Sequence, residues 1–99
     1  MRKVTRDAIN AFYARKPFRR GNTEVMVNID YVALKLHGNI IAELRGDKLT
    51  ITDAGWSTNT TKERLNGLYG VSIHQKDYQW YLNGKRWNGE IVNPHTYGE

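Results

Sequence analysis

From residue 23 onward the apolar positions recur with a period of two. Val25, Val27 and Ile29 alternate with Glu24, Met26 and Asn28, the pattern of a half-buried strand. Asp30 and Tyr31 break the parity, which predicts a turn or a bulge, and Val32, Leu34 and Leu36 resume it. His37-Gly38-Asn39 is a turn signal, and Ile40 to Leu44 reads as a further strand. Gly46-Asp47 reads as a two-residue hairpin turn, followed by a strand carrying Leu49 and Ile51. Four consecutive strands joined by such short turns predict an antiparallel β-meander.

Two segments follow the helical period instead. Val4, Ala8, Ala11, Phe12 and Arg15 recur at helical spacing. Thr5 is the expected N-cap and Asp7 falls in the first turn. Pro17 disfavours helix at Lys16, and residues 18–22 read as a basic linker. The second helix is expected at Thr60-Thr61-Lys62-Glu63, which fits a capping box with Thr60 at the N-cap and Glu63 three residues on. Leu65 and Leu68 give it an apolar face, and Asn66-Gly67 or Gly70 closes it. Val71 and Ile73 begin a new strand. The clearest hairpin then runs from Tyr78 to Trp87 through Asn83-Gly84, the preferred type I′ pair. Its register sets Leu82 opposite Lys85, Tyr81 opposite Arg86 and Trp80 opposite Trp87.

These elements predict an α+β fold. An antiparallel sheet of five to seven strands carries an N-terminal helix and a second short helix before the final hairpin. At 99 residues the chain is expected to form one domain. Residues 1–20 form its basic helix and linker, 23–92 a β-rich core, and 93–99 a loose tail.

Charge changes the picture most. Residues 1–20 hold Arg2, Lys3, Arg6, Arg15, Lys16, Arg19 and Arg20 against Asp7 alone, a net of +6; the other 79 residues hold eight Lys/Arg and nine Asp/Glu, a net of −1. A cationic segment on a near-neutral domain attracts polyanions or an acidic partner surface, although a charge run also serves simply as a solvated helix face. The chain has no Cys, which excludes disulfides, thiolate zinc sites and cysteine nucleophiles, and favours a reducing cytoplasm. No apolar run approaches the roughly 18 residues needed to span a membrane, so no membrane association is expected.

The other candidate groups each have two readings. His37, His74 and His95 stand at no metal-ligand spacing, so no metal and no cofactor are expected. Asp53 reads as an acid or as a turn residue satisfied by local backbone. Thr58, Thr60 and Thr61 read as capping hydroxyls or as an anion cradle. Trp80, Trp87 and Tyr78 read as core or as a stacking platform for unpaired bases. Tyr81 and Arg86 share the opposite hairpin face, where a cation–π contact is available.

Four segments carry a resemblance: Leu36-His37-Gly38-Asn39, Thr52-Asp53-Ala54-Gly55-Trp56, Thr60 through Gly67, and Trp80-Tyr81-Leu82-Asn83-Gly84 with Trp87. Together they resemble a family of small tailed-bacteriophage proteins to which no activity is assigned. The resemblance covers roughly residues 20–90. It implies a viral protein acting in the cytoplasm of a bacterial host, and it carries over no catalytic residues. The leading expectation is a non-enzymatic phage accessory protein that binds a host macromolecule, an acidic protein surface in particular. A nucleic-acid-binding protein using the basic segment is the alternative. A small enzyme or nucleotide binder around Asp53 and Trp56 is the second, and it requires a concave pocket where those groups converge. The oligomeric state is left open.

Overall fold

The computed structural model describes residues 1–98. Helix α1 (Lys3–Ala14) is followed by strands β1 (Phe18–Arg20), β2 (Thr23–Val27), β3 (Val32–Leu36), β4 (Asn39–Arg45) and β5 (Lys48–Ile51), helix α2 (Asn59–Leu65), and strands β6 (Ile73–Lys76), β7 (Gln79–Leu82) and β8 (Lys85–Arg86). The first five strands make one antiparallel sheet in sequence order, and the last three make a second. The fold is α+β, as the alternation of periods predicts.

The turns form where their residues demand. Leu36 pairs with Asn39 and Arg45 with Lys48, so His37-Gly38 and Gly46-Asp47 are the two-residue loops. Asn83 and Gly84 both take positive φ, at 51° and 89°. That twist matches the flanking strands and sets Leu82 opposite Lys85 and Tyr81 opposite Arg86. One core joins the layers. Ala8, Ile9 and Phe12 of α1 meet Val25, Leu34 and Leu49 of the large sheet, Leu65 and Leu68 beside α2, and Trp80, Leu82 and Trp87 of the small sheet.

Several local expectations are corrected. Residues 18–20 are not linker but the edge strand β1, paired in register with β2. Two arginines in a three-residue strand suit an edge, where charge discourages pairing with other chains. Helix α1 starts at Lys3, and Thr5 is not its cap. The Thr5 hydroxyl is buried and donates to Glu63, whose other carboxylate oxygen accepts the Arg2 backbone N–H at 3.2 Å. A carboxylate from a distant helix thereby serves the positive end of α1. At the other end Arg15 adopts a left-handed conformation, and Lys16 N–H donates to the Ala11 carbonyl at 2.9 Å, a Schellman ending closed off by Pro17.

Tyr78 does not share a face with the tryptophans. It occupies, with Asp77, a positive-φ turn between β6 and β7. Neither residue is Gly or Asn, which is why the sequence pattern does not reveal this turn. Residues 93–98 are docked rather than loose. Pro94 is buried and its carbonyl accepts the Asn83 amide at 3.1 Å, while the Tyr97 hydroxyl donates to the Arg86 carbonyl. Glu99 lies outside the described residues.

The cap of α2 moves by two residues. Thr58, not Thr60, is the N-cap, and its hydroxyl accepts the Thr61 backbone N–H at 3.1 Å. Glu63 is thereby released from a capping box and reaches α1. Thr58→Ala should cost about 0.5–2 kcal/mol, the usual loss for a side-chain cap. Thr60→Ala should cost clearly less. Urea unfolding of the two variants decides between the positions, and the reverse ranking would restore the cap to Thr60.

Candidate functional site

The cationic segment does not form one patch. Arg2, Lys3 and Arg6 stand at the start of α1, and Arg15 and Lys16 at its end. A 12-residue helix is about 18 Å long, so the two groups are well separated. Arg15 reaches the β4–β5 turn, donating to the Gly46 carbonyl at 3.1 Å. On β1, alternation turns Arg19 to the face opposite Phe18 and Arg20. Arg20 folds back to α1 and meets Asp7 at 2.8 Å, where Lys3 also lies at 2.9 Å. The hydrogen bonds from Arg20 and then Lys3 hold the Asp7 carboxyl below its ordinary range. The Arg2 and Arg6 guanidinium groups have no carboxylate partner among the described residues. Arg2, Lys3, Arg6 and Arg20 thus form the cationic group at the α2 end of the molecule.

That end also carries a pocket of about 440 Å³. One wall is the β3–β4 hairpin, through Leu36, His37, Asn39 and Ile41. Ile41 is the extra residue of a bulge, since Lys35 pairs with Ile40 and Leu34 with Ala42. The rest of the lining is the loop carrying Asp53, Ala54 and Trp56 and the start of α2, with Thr58, Thr60 and Thr61 at the pocket floor nearest the helix. Asp53, Trp56 and the threonines therefore do converge on a concavity.

Asp53 builds this loop rather than facing a ligand. Its carboxylate accepts the Gly55 backbone N–H at 2.7 Å and the Ser57 hydroxyl at 2.6 Å. The Thr52 hydroxyl accepts Ala54 N–H at 3.1 Å and donates to the Gly89 carbonyl at 2.6 Å. The Asp53 carbonyl accepts Trp56 N–H at 2.9 Å. With its backbone so occupied, the loop holds Trp56 out at 62% exposure. The indole of Trp87, by contrast, is 1% exposed and donates to the Glu90 carbonyl at 2.9 Å. Trp80 is buried beside it at 6% exposure. The hairpin tryptophans are core.

Tyr81 and Arg86 are cross-strand neighbours on the outer face of the small sheet. No cation–π contact joins them among the described residues. The Tyr81 ring stacks on His74, with centroids 5.3 Å apart, and Arg86 donates to Gln79 at 3.3 Å.

Behind the pocket floor lies a group that the sequence pattern hides. Arg64 is 2% exposed. It donates to Thr23 at 3.0 Å, to Thr5 at 2.9 Å and to the adjacent Glu63. Burial pushes the Glu63 carboxyl up, but the bonds from Thr5, Arg2 N–H and Arg64 outweigh it and the net shift is downward. A buried cation tied to two threonines and a carboxylate locks α1, α2 and β2 together.

A family model described as Kyanoviridae Gp96 protein matches residues 1–97. The chain belongs to this bacteriophage family. The match includes the basic helix as well as the sheets. No curated protein and no solved structure matches the chain. Within the matched stretch, residues 36–39 are separated in sequence from 52–56 and 60–61 and meet them at the pocket. Sequence reading reached Asp53, Trp56 and the threonines. It missed Asn39 and Ile41, which carry no chemical signal until the bulge brings them to the wall. No helix among the described residues is long and apolar enough to cross a membrane.

Proposed function

We propose that this phage protein is a non-enzymatic accessory factor that binds an acidic surface of a host protein in the bacterial cytoplasm. Arg2, Lys3, Arg6 and Arg20 are its principal contacts. The observation that carries this reading is the pairing of the cations. The only acid among residues 1–20 is Asp7, already shared by Lys3 and Arg20, which leaves Arg2 and Arg6 available to external carboxylates. Such groups steer encounter with an oppositely charged partner. Two facts weigh against nucleic acid. Trp80 and Trp87 are buried, which leaves Trp56 as the single exposed tryptophan, whereas sequence-tolerant binding of single strands relies on stacking of successive bases on several aromatic rings. Arg19 also turns away from Arg20, so the charge follows no continuous groove.

The test is capture from infected bacteria with and without nuclease, using wild type and the Arg2→Ser/Arg6→Ser variant. The expected result is a protein partner that survives nuclease and is lost with the variant, with association slowed about tenfold at low salt. Nuclease-sensitive capture would favour the nucleic-acid alternative. So would oligonucleotide affinity falling by roughly 0.7–0.9 log units per tenfold salt per phosphate contact.

A further inference from the structure

We infer that the pocket under Trp56 seats a neutral aromatic side chain carried by an acidic segment of the partner. The acidic character of the segment rests on the reading above, whereas the preference for a ring rests on the pocket alone.

The composition of the pocket disfavours charged ligands. Among the described residues no Lys or Arg lines it, and its one basic side chain, His37, already meets the Asn22 amide, so a phosphate group would enter without a permanent counter-charge. Its one carboxylate among the described residues, Asp53, is occupied by Gly55 N–H and the Ser57 hydroxyl, so a cation would find no free acceptor on it. What the walls offer is the Trp56 indole and the apolar atoms of Leu36, Ile41 and Ala54, with His37, Asn39, Thr58 and Thr60 as polar groups. A volume of about 440 Å³ falls within the range of ligand-binding clefts. A ring against an indole gains the offset or edge contact that aromatic pairs prefer.

Preorganisation adds to this. Exposed tryptophans are uncommon, and a flexible one would lose entropy on binding. Here the bonds from Thr52 and Asp53 hold the loop already folded, so less ordering is required when the ring arrives. A tryptophan beside a preformed pocket is the kind of aromatic anchor found at interface hot spots.

The geometry also places the acidic residues. One cross-strand row runs Arg20, Thr23, Leu36, Asn39. Arg20 therefore stands two to three strand spacings from the pocket wall at Leu36 and Asn39, about 10–14 Å, which an extended segment of about three to five residues covers. Asn22, two residues beyond Arg20, hydrogen-bonds the His37 ring at 3.4 Å and lies on that path. The acidic residues should therefore begin about four positions from the aromatic one.

The experiment uses two probes on the full chain. N-acetyl-tyrosinamide at millimolar concentration tests the pocket, read by the Trp56 indole N–H signal in nitrogen-edited NMR. A synthetic peptide with one tyrosine and three glutamates four residues away tests the charge. We expect the tyrosine probe to shift the Trp56 signal while those of buried Trp80 and Trp87 stay still. Trp56→Ala, an exposed site, and Thr60→Phe, which fills the pocket from α2, should each weaken the peptide at least tenfold. The peptide should bind at least tenfold tighter than the amide at low salt, and Arg2→Ser/Arg6→Ser/Arg20→Ser should remove that gain. If the amide binds but the glutamates add nothing, the pocket stands and the acidic-partner reading fails. No binding of the amide, or stronger binding of adenosine or uridine, overturns the aromatic-side-chain assignment.

Discussion

Gly89→Ala should be the most damaging small substitution in this protein, lowering stability by about 2–6 kcal/mol. Gly89 has φ +87°, and a Cβ added there would lie 2.0 Å from Asp53 Oδ2 and 2.1 Å from Asp53 Cγ. Two costs combine. The left-handed backbone is strained for any residue with a side chain, by about 1–3 kcal/mol. The methyl also overpacks a filled site, at roughly 1–3 kcal/mol. Neither neighbour yields easily. The Gly89 carbonyl is held by the Thr52 hydroxyl and by Asp53 N–H at 3.0 Å, and the Asp53 carboxylate is held by Gly55 and Ser57. Gly84→Ala is the control. Its φ is +89°, yet among the described residues nothing lies within 4 Å of the added Cβ, so only the same backbone cost of about 1–3 kcal/mol applies. Urea denaturation of both variants reads the difference. Equal losses would mean that the contact with Asp53 is unimportant. If Gly89→Ala stays folded, it should also loosen the 52–58 loop and broaden the Trp56 indole signal.

Arg64→Met should cost about 3 kcal/mol, the low end of the range for breaking a buried ion pair, because the Glu63 side chain left behind is 27% exposed. Methionine replaces much of the side-chain volume, so the loss reports the polar network rather than a cavity. Without the guanidinium, Thr5 and Thr23 lose their donor and Glu63 loses its counter-charge. Arg64→Met/Glu63→Gln should recover part of the loss, because the second change removes the stranded carboxylate. The pH dependence has a definite sign. The Glu63 carboxyl is lowered in the folded chain, so its contribution is complete above the unfolded carboxylate pKa and disappears as pH falls through the folded value. The gap between wild type and Arg64→Met should therefore be widest at neutral pH and narrow in acid. A gap that is constant across the titration would mean that Glu63 and Arg64 are energetically uncoupled.

The reading of the chain succeeded where a feature depends on neighbours in sequence. The alternation from Val25 to Ile51 determined the meander. His37-Gly38, Gly46-Asp47 and Asn83-Gly84 determined its tight turns, because their backbone preferences are intrinsic to those residues. The concentration of charge in residues 1–20 was equally plain. Tertiary structure decided the rest. Thr5 and Glu63 both fit local capping patterns, yet they bond each other across 58 positions. Arg64 looks like a solvent-facing helix residue until α1 and β2 close over it, at separations of 59 and 41 positions. The seven cations form one run in sequence and lie at both ends of α1 and on both faces of β1 in space. The pocket is assembled from a bulged hairpin, a loop held by Gly89 and the first turn of a helix. None of these is legible alone, because a contact between distant segments depends on which surfaces the finished core brings together, whereas a turn or a strand depends only on its own few residues.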